Sequence, residues 1–370
     1  MGENPRDRDF VMKKKAMDWA KKASIEFNGK CISFVEKGTF RVALKKGQFI
    51  DFSDLKDTIN KDLGTRDFTV NAMAWSPEEG LIDPFGGCDD LQAKIIRVVA
   101  PENLSSDPLR VLRAYRIAAQ LDFAINRRTR ALLKENAINL IHTASERITE
   151  EIFKVLYNHN AYNYLILCNN DNVLREVLHV SKHNLRQFIK YIKELDLLIS
   201  HHMKLKPKCH SKVELNKIVG QGLSNKGFLK LFILLGGLTD LKLSGIRLLL
   251  SNHFQLRLKR LHNALVLSKG RISEKRLYEI FKVSRGNELE TALLVGLEKK
   301  GNVDKYIRRA EDFIANRKNM LLKGYDIQKV LHIKPGKIVG EVQNEVERLR
   351  FLGTIRNKAE ARKWILANFT

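Results

Sequence analysis

The chain has 370 residues and is 44% hydrophobic, so it can form two or three globular domains and is too apolar for a disordered tail. Its formal net charge of +24 predicts a polyanionic partner, above all a nucleic acid. The four cysteines form no CxxC pair, and neither a signal segment nor a membrane-spanning stretch is present, so we expect a cytoplasmic protein without disulfides or a membrane partner.

Two aspartates near the start of the chain, Asp7 and Asp9, are separated by a single residue. On a β-strand this spacing puts both carboxylates on one face. Neighbouring carboxylates repel each other unless a cation lies between them, so the pair predicts a Mg²⁺ site. The alternative is a solvated charge cluster without a ligand. A basic amphipathic helix is expected next, at residues 13–30.

Three apolar segments, at residues 31–35, 39–44 and 48–52, alternate in strand fashion and are separated by Lys-Gly turns. They predict a small meander sheet. Asp51 stands inside the third segment between apolar neighbours. It is either a third metal carboxylate or a surface acid near the end of the strand.

The densest local pattern is at residues 66–91, which read Arg-Asp-Phe-Thr-Val-Asn-Ala and later Asp-Pro-Phe-Gly-Gly. A proline ends the strand-like residues 81–82, and Gly86-Gly87 allows a tight turn. By itself this pattern predicts only a helix or strand beside a turn.

From residue 105 the chain is expected to be helical, because Ser-Ser-Asp-Pro is a helix start. Asp107, Arg110, Arg113 and Arg116 recur at every third position and would form a stripe along this helix. A carboxylate accepts from an exocyclic amine and a guanidinium donates to a ring nitrogen or carbonyl, so Asp107 and Arg110 could select cytosine and adenine over uracil and guanine. The further arginines could bind phosphates. The alternative is an exposed, salt-bridged face.

The rest of the chain is basic and carries few chemical signals. Apolar residues recur with helical periodicity at residues 185–199, 241–250 and 258–267, which indicates ordinary core helices. Residues 204–208 form a basic linker. The histidines beside it and Cys209 match no standard zinc spacing, so we expect a solvated loop there.

Near the C-terminus, residues 334–337 read Lys-Pro-Gly-Lys and precede a helix with an apolar stripe that ends at Gly353. The N-terminus of this helix could bind a phosphate of an RNA backbone.

Taken in order, these segments resemble the class II (bacterial-type) tRNA nucleotidyltransferases, which include CCA-adding enzymes, and the bacterial poly(A) polymerases. The shared pattern is Asp-x-Asp, a short meander, Arg-Asp-Phe-Thr-Val-Asn-Ala, Asp-Pro-Phe-Gly-Gly-x-x-Asp-Leu, Asp-x-x-Arg-x-x-Arg-x-x-Arg and Ser-Glu-Arg-Ile. It covers residues 6–156 with specific motifs and continues more loosely at residues 322–340.

The resemblance implies an α+β fold, with a small N-terminal mixed sheet domain of the nucleotidyltransferase (polymerase β-like) type and an all-α neck, body and tail. The expected ranges are 1–100 for the head, 101–165 for the neck, 166–310 for the body and 311–370 for a tRNA-binding tail. It further implies template-independent addition of CMP and AMP to the 3′ end of tRNA, with release of pyrophosphate. The expected partners are therefore tRNA, ATP and CTP, and the expected cofactor is Mg²⁺.

In the head, the resemblance makes Asp7 and Asp9 the catalytic metal carboxylates and Asp51 a candidate third catalytic carboxylate. Arg66 becomes a contact to the triphosphate and sugar of the nucleotide. Asn71 helps to shape the nucleotide pocket.

In the neck, the resemblance makes Asp107 and Arg110 the residues that read the base. Arg113 and Arg116 complete the nucleotide-binding site. The family usually has glutamate where this chain has Ser106, but the base-reading pair itself is kept.

Two further departures from the family pattern affect the expected activity. The family places a Gly-Gly-x-Val-Arg-Asp turn, whose amides cradle the triphosphate, ahead of Asp-x-Asp. Only residues 1–5 precede Arg6 here, so we expect either a truncated start or a loss of this turn, and a catalytically inactive RNA-binding relative is one alternative function. The short connection between Phe34 and Arg66 leaves little room for the flexible loop with which CCA-adding members switch from C to A. A CC-only or A-only member is therefore as consistent with the sequence as a CCA-adding one, and a poly(A) polymerase is the remaining alternative.

Overall fold

The computed structural model describes residues 7–34, 38–205, 210–241, 243–301 and 303–369. The chain divides into two compact units, Met1–Asp107 and Pro108–Thr370. The finer division into head, neck, body and tail stays a prediction.

The first unit is built on a small mixed sheet. Its strands and α-helices are β1 (Asp7–Met12), α1 (Ala16–Glu26), β2 (Lys30–Phe34), β3 (Thr39–Ala43), β4 (Phe49–Asp54), α2 (Ile59–Gly64), β5 (Ala74–Ser76), β6 (Gly80–Ile82), α3 (Gly87–Ala93), β7 (Ile95–Ile96) and α4 (Glu102–Ser106). The strand order is β1-β4-β3-β2, in which β1 runs parallel to β4 and the other two pairings are antiparallel. The predicted meander is confirmed as β2, β3 and β4.

Helix α1 covers one face of this sheet. Ala16 and Ala20 of the helix are fully buried against Val42, Ile50 and Phe52 of the strands. Because side chains alternate along a strand, the neighbouring positions on β3 and β4 point to the opposite face. That opposite face carries Arg41 and Asp51.

The helix predicted to begin at Ser105 begins later. Ser105 and Ser106 end the short helix α4, and Asp107 has extended backbone angles (φ −141°, ψ 93°) at the C-cap of that helix. The next helix begins at Arg110. Pro108 explains the break, because proline disfavours the α conformation in the residue before it.

The second unit is almost entirely helical where it is described. Its elements are α5 (Arg110–Leu121), β8 (Ala124–Ile125), α6 (Arg127–Asn136), α7 (Ser145–Tyr157), α8 (Ala161–Asn170), α9 (Val173–Leu178), α10 (Lys182–Leu205), α11 (His210–Asn216), β9 (Ile218–Gly220), β10 (Leu223–Ser224), α12 (Asn225–Leu234), α13 (Asn252–Ser268), α14 (Glu274–Val283), α15 (Glu288–Lys299), α16 (Val303–Lys318), α17 (Gly324–Leu331), α18 (Lys337–Phe351) and α19 (Lys358–Phe369). A mixed sheet unit followed by helices confirms the predicted α+β class. None of the described helices combines the length and the apolar character that a membrane span requires.

Of the three periodic segments, two are helical and one is not. Residues 185–199 lie in α10 and residues 258–267 lie in α13, as predicted. The described part of residues 241–250 is irregular, which contradicts the helix expected there. In this segment the Leu249 amide donates to Thr149 Oγ1 of α7 (2.7 Å). Leu248 and Leu250 are buried while Leu249 is exposed, and a short apolar run does not distinguish such an irregular segment from a helix.

The region of the predicted linker is only partly described. Residues 206–209, including Cys209, lie outside the described residues. His202 is buried at the end of α10, and its Nδ1 lies 2.6 Å from Asp304 Oδ1 of α16. This contact between helices is structural packing within the second unit.

The last three helices, α17 to α19, share one hydrophobic core. Val342 and Val346 of α18 pack with Ile327 of α17 and Ile365 of α19. The apolar stripe predicted for α18 is therefore confirmed, and the helix begins at Lys337 as the sequence indicated.

Candidate active site

The face of the sheet opposite α1 carries three carboxylates. In the parallel pairing of β1 with β4, Asp9 lies beside Asp51, and Asp7 precedes Asp9 by two residues on the same face. We call this surface, formed by Asp7, Asp9, Asp51 and Arg41, the acidic face. The strand placement predicted for the aspartate pair is confirmed, whereas its role in catalysis stays a prediction.

Asp9 is the most perturbed carboxyl group of the acidic face. Desolvation and the like charge of Asp51 raise the pKa of Asp9 above its ordinary value, although the residue keeps contact with solvent. The charge of Asp7 acts in the same direction, while Arg66 and Arg41 oppose it. Within the described ranges, neither the Asp7 nor the Asp9 carboxylate has a hydrogen bond or a direct ion pair. A cation between the two carboxylates would relieve their repulsion.

Asp51, in contrast, has a strong partner on the neighbouring strand. Arg41 of β3 lies opposite Asp51 in the antiparallel register and donates from Nε to Oδ1 (2.7 Å) and from Nη2 to Oδ2 (2.6 Å). The guanidinium also lies over the rings of Phe49 (4.9 Å) and Phe34 (5.8 Å). The hydrogen bonds to Asp51 raise the pKa of Arg41. The sequence reasoning missed this arginine, although its register opposite Asp51 in the predicted meander was a usable signal.

The chemistry of the acidic face fits a hard divalent cation. Mg²⁺ takes oxygen ligands and is held in many enzymes by one or two carboxylates together with phosphates of the substrate. Asp7 and Asp9 offer two such carboxylates. In the described ranges, no group of three or more His, Cys, Asp or Glu side chains is arranged to hold a metal ion. The role of Asp51 as a third carboxylate stays a prediction.

Arg66 follows α2 closely, and its charge lies near enough to lower the pKa of Asp9. Its guanidinium donates to Oδ2 of Asp62 (3.0 Å), which lies four residues earlier in the chain. Asn103 fixes the backbone at this point, because its side-chain amide donates to the carbonyls of Gly64 and Arg66, both at 2.8 Å. The hydrogen bonds of Asp62 and Asn103 thus hold Arg66 near the acidic face.

Asn71 lies in the segment that follows Arg66 in the chain. It lies in the 3₁₀ turn Thr69–Asn71 and donates from its side-chain amide to Asp67 Oδ1 (3.1 Å). Asp67 is buried and also accepts from the amide of Phe68 (2.9 Å). Asn71 itself is exposed, so its predicted contribution to a nucleotide pocket stays open.

The Asp-Pro-Phe-Gly-Gly motif forms the start of α3. Asp83 accepts from the amides of Gly87 (2.7 Å) and Cys88 (2.8 Å). Burial alone would raise the pKa of Asp83, but these hydrogen bonds outweigh it and lower the pKa. Gly86 has a φ of 72°, and a side chain at Gly87 would come within 2.4 Å of the Thr69 carbonyl. Both glycines are therefore required by the backbone.

Asp90 joins the two halves of the densest motif. It is buried, and it accepts from Thr69 Oγ1 (2.7 Å) and from Arg97 Nε (2.9 Å) and Nη2 (3.0 Å). Arg97 and Thr69 thereby tie α3 to the segment that carries Arg66. The sequence reasoning quoted this aspartate in the motif and gave it no role, since its partners are distant in the chain.

The arginine stripe of the second unit lies on α5. Arg110 begins the helix, and Arg113 and Arg116 follow one turn and two turns later. Arg116 donates from Nε to Glu151 Oε2 of α7 (2.5 Å) and from Nη1 to Gln120 Oε1 (3.0 Å). Its charge is therefore neutralised inside the protein. Glu151 is 3% exposed and is a further residue that the sequence did not single out.

A second buried network fixes α5 from its other side. Tyr115 donates from its hydroxyl to Asp171 Oδ2 (2.9 Å), and Arg130 holds the same carboxylate by two hydrogen bonds of 2.6 and 2.9 Å. Burial raises the pKa of Tyr115, so this hydroxyl stays a donor. Helix α5 is thus anchored on two sides.

Two segments of the chain match known family models. Residues 1–97 match the family model described as the poly(A) polymerase head domain. Residues 122–181 match the model described as a probable RNA- and SrmB-binding site of polymerase A.

Individual relatives agree with these models. A CC-adding tRNA nucleotidyltransferase of Geobacter sulfurreducens is 44% identical over 134 residues, which are 35% of this chain and 31% of that protein, so the chain spans about a third of that relative. A CCA-adding enzyme of Ligilactobacillus salivarius is 28% identical over 82% of this chain and 70% of its own length. The structure of the Thermotoga maritima CCA-adding enzyme complexed with tRNA has a TM-score of 0.74 over 99% of this chain and 88% of that chain. At 22% identity this last match supports the fold alone. Together, the matches show that the chain is similar to tRNA nucleotidyltransferases and to poly(A) polymerases over residues 1–97 and 122–181.

Proposed function

We propose that this chain is a template-independent RNA nucleotidyltransferase that adds CMP, AMP or both to the 3′ end of tRNA and releases pyrophosphate. The acidic face supports this most directly, because Asp7 and Asp9 lie side by side on β1 without a direct partner among the described residues. Relatives named as CC-adding and CCA-adding enzymes agree with this activity.

The acidic face would bind Mg²⁺ through Asp7 and Asp9. When bound, the metal would lower the pKa of the RNA 3′-hydroxyl and stabilise the leaving pyrophosphate. The two carboxylates are held in place because β1 pairs with β4 along its whole length. Arg66 is the proposed contact to the triphosphate and sugar, since a guanidinium donates two parallel hydrogen bonds to phosphate oxygens. Asn71 is proposed to shape the pocket beside it.

Base selection is assigned to Asp107 and Arg110. The carboxylate would accept from the exocyclic amine of cytosine or adenine, and the guanidinium would donate to the adjacent ring nitrogen or carbonyl. Arg113, one turn further along α5, is a proposed phosphate contact. Arg116 is proposed to act through the helix, because its guanidinium is already bound to Glu151.

The connection between β4 and α2 favours addition of C over completion of the CCA end. Only residues 55–58 separate the two elements. The resemblance places the flexible loop, which switches CCA-adding members from C to A, in this part of the chain. A connection of this length leaves little room for such a loop, and the Geobacter relative is named as a CC-adding enzyme. We therefore propose that CTP is the preferred substrate.

The RNA partner is proposed to be tRNA, bound mainly through its backbone. A net charge of +24 provides the electrostatic attraction. The tail could add a directed contact, because α18 begins at Lys337, after exposed residues 334–336, and a helix N-terminus offers free amides to a phosphate. Affinity for tRNA should fall steeply with salt, and a flat salt response would count against backbone binding.

The deciding experiment is incorporation of labelled CTP and ATP, offered separately with Mg²⁺. Three tRNA substrates are needed, which end before the CCA, after its second C and after the complete CCA. We expect two C additions on the first tRNA, and none on the other two. Addition of A to the second tRNA would identify an A-adding or CCA-adding enzyme. Long A tracts on arbitrary RNA would identify a poly(A) polymerase, and tRNA binding without any incorporation would identify an inactive relative.

A further inference from the structure

The acidic face contains one cation of its own, the guanidinium of Arg41. Arg41 and Asp51 face each other across the β3–β4 ladder, and two hydrogen bonds of 2.7 and 2.6 Å join them. Both oxygens of the Asp51 carboxylate accept from the guanidinium. The carboxylate side chain is only 16% exposed, so water competes weakly for it.

The surroundings of Arg41 hold it in this position. Its guanidinium lies 4.9 Å from the ring centre of Phe49 and 5.8 Å from that of Phe34. An arginine between aromatic rings loses little freedom when it binds a carboxylate at two points. The pair is therefore a built element of the face, unlike an exposed surface ion pair.

This arrangement separates the three aspartates into two groups. Asp7 and Asp9 have no direct partner among the described residues, whereas Asp51 is bound on both oxygens. We infer that Arg41 occupies Asp51 in place of a metal ion, so that Asp7 and Asp9 alone supply protein ligands to the metal, and Asp51 acts as a positioning residue that holds Arg41 beside them. The inference rests on the proposed function only in assigning the metal to Asp7 and Asp9.

The inference makes Arg41 a determinant of metal affinity. Removing the guanidinium would release Asp51, which lies beside Asp9 in the strand register and could then join the site. Mutating a group that orients a metal ligand typically costs about 10- to 100-fold in metal affinity. Here the group is a cation bound to a carboxylate, so its removal takes away a repulsive charge and frees a ligand, and a change of similar size is expected in the opposite direction. We therefore expect Arg41→Gln to bind a divalent metal at least about tenfold more tightly than the wild-type chain.

A titration of the whole chain with Mn²⁺ tests the inferred role of Arg41 without nucleotide transfer. Electron paramagnetic resonance measures the Mn²⁺ that remains free at each step. The decisive variant is the double substitution Arg41→Gln with Asp51→Asn, because it keeps the local net charge of the wild type. If Asp51 is not a metal ligand, the double variant should bind Mn²⁺ within twofold of the wild type. If Asp51 is a metal ligand, the double variant should lose about tenfold or more, and the inference is overturned.

Three controls separate this result from other effects. Arg41→Lys keeps the charge but not the two-point hold, so it should tighten Mn²⁺ binding less than Arg41→Gln. Lys61→Gln removes the cation of an exposed ion pair with Asp57 in the same unit and should change nothing. Asp9→Asn should abolish binding.

The same series distinguishes the two possible failures. If Asp9→Asn binds Mn²⁺ like the wild type, or if the wild type binds no Mn²⁺, the metal assignment of the proposed function and the inference are both wrong. If Asp9→Asn loses binding but the double variant does too, only the inference is wrong. Circular dichroism of each variant shows that it is folded before its binding is compared.

Discussion

The ion pair between Arg116 and Glu151 gives a prediction that separates a structural role from a nucleotide contact. The side chains are 15% and 4% exposed, and Nε lies 2.5 Å from Oε2. Removing one partner of a buried ion pair costs about 3–5 kcal/mol, because the other charge is left buried. Gln120 and Lys154 lie within reach of Arg116 and Glu151 respectively, so we expect the lower part of that range, about 3 kcal/mol, for Glu151→Leu.

The assay is urea unfolding of Glu151→Leu, Arg116→Met and the double variant. Each single variant should lower the free energy of unfolding by about 3 kcal/mol, while the double variant should be close to wild type, because it leaves no buried charge. The double variant should also keep the wild-type preference for CTP over UTP and its wild-type KM for CTP. A double variant that is stable but has lost nucleotide binding would show that Arg116 contacts the nucleotide, and would refute the positioning role.

Three further predictions follow from single groups. Asp9→Asn should abolish nucleotide addition and leave tRNA binding intact in a filter-binding assay; retained addition would show that the metal assignment is wrong. Asp107→Ala should relax base choice, and an unchanged preference for CTP over UTP would contradict the base-reading role. Burial raises the pKa of Glu290 from 4.5 to about 7, even though Arg257 opposes the shift. A raised pKa stabilises the fold below pH 4.5, and this contribution is lost as the pH rises through 7, so wild type should lose about 3 kcal/mol relative to Glu290→Gln between pH 4.5 and pH 8. Urea unfolding of both proteins at each pH measures this difference, and parallel pH profiles would contradict the raised pKa.

The strands of the first unit could be predicted from the sequence because they depend on local alternation. The spacing of Asp7 and Asp9 predicted that both lie on the same face of a strand. The alternation of residues 39–52 predicted the strands that carry Arg41 and Asp51. What alternation could not give was the register between strands. The pairing of Arg41 with Asp51 follows from that register, so the role inferred for Asp51 could not be predicted from the sequence.

The misplaced helices have local physical causes. Residues 241–250 have helical periodicity, but their backbone, where it is described, makes hydrogen bonds to other elements instead of helical ones. One example is the bond from the Leu249 amide to Thr149 of α7. Pro108 moved the start of α5 past Asp107, which the periodic stripe had placed inside the helix. In residues 241–250 a tertiary hydrogen bond, and at Asp107 the following proline, prevented the helix that the spacing of side chains had predicted.

The most distinctive stretch of the sequence, residues 66–91, contains Arg66 and Asn71 of the proposed nucleotide site, but most of its other polar residues hold the local fold together. Asp83 organises the start of α3, and Asp90 joins that helix to Thr69 and Arg97. Residues of this kind form a recognisable sequence motif because each one bonds to a particular partner residue in the fold. Asp7 and Asp9 need only a strand and an uncovered face, so the plainest pattern in the chain carries the proposed catalytic role. This division explains why the resemblance could be recognised from these motifs, while the role proposed for each carboxylate depends on whether the structure shows it paired with an arginine.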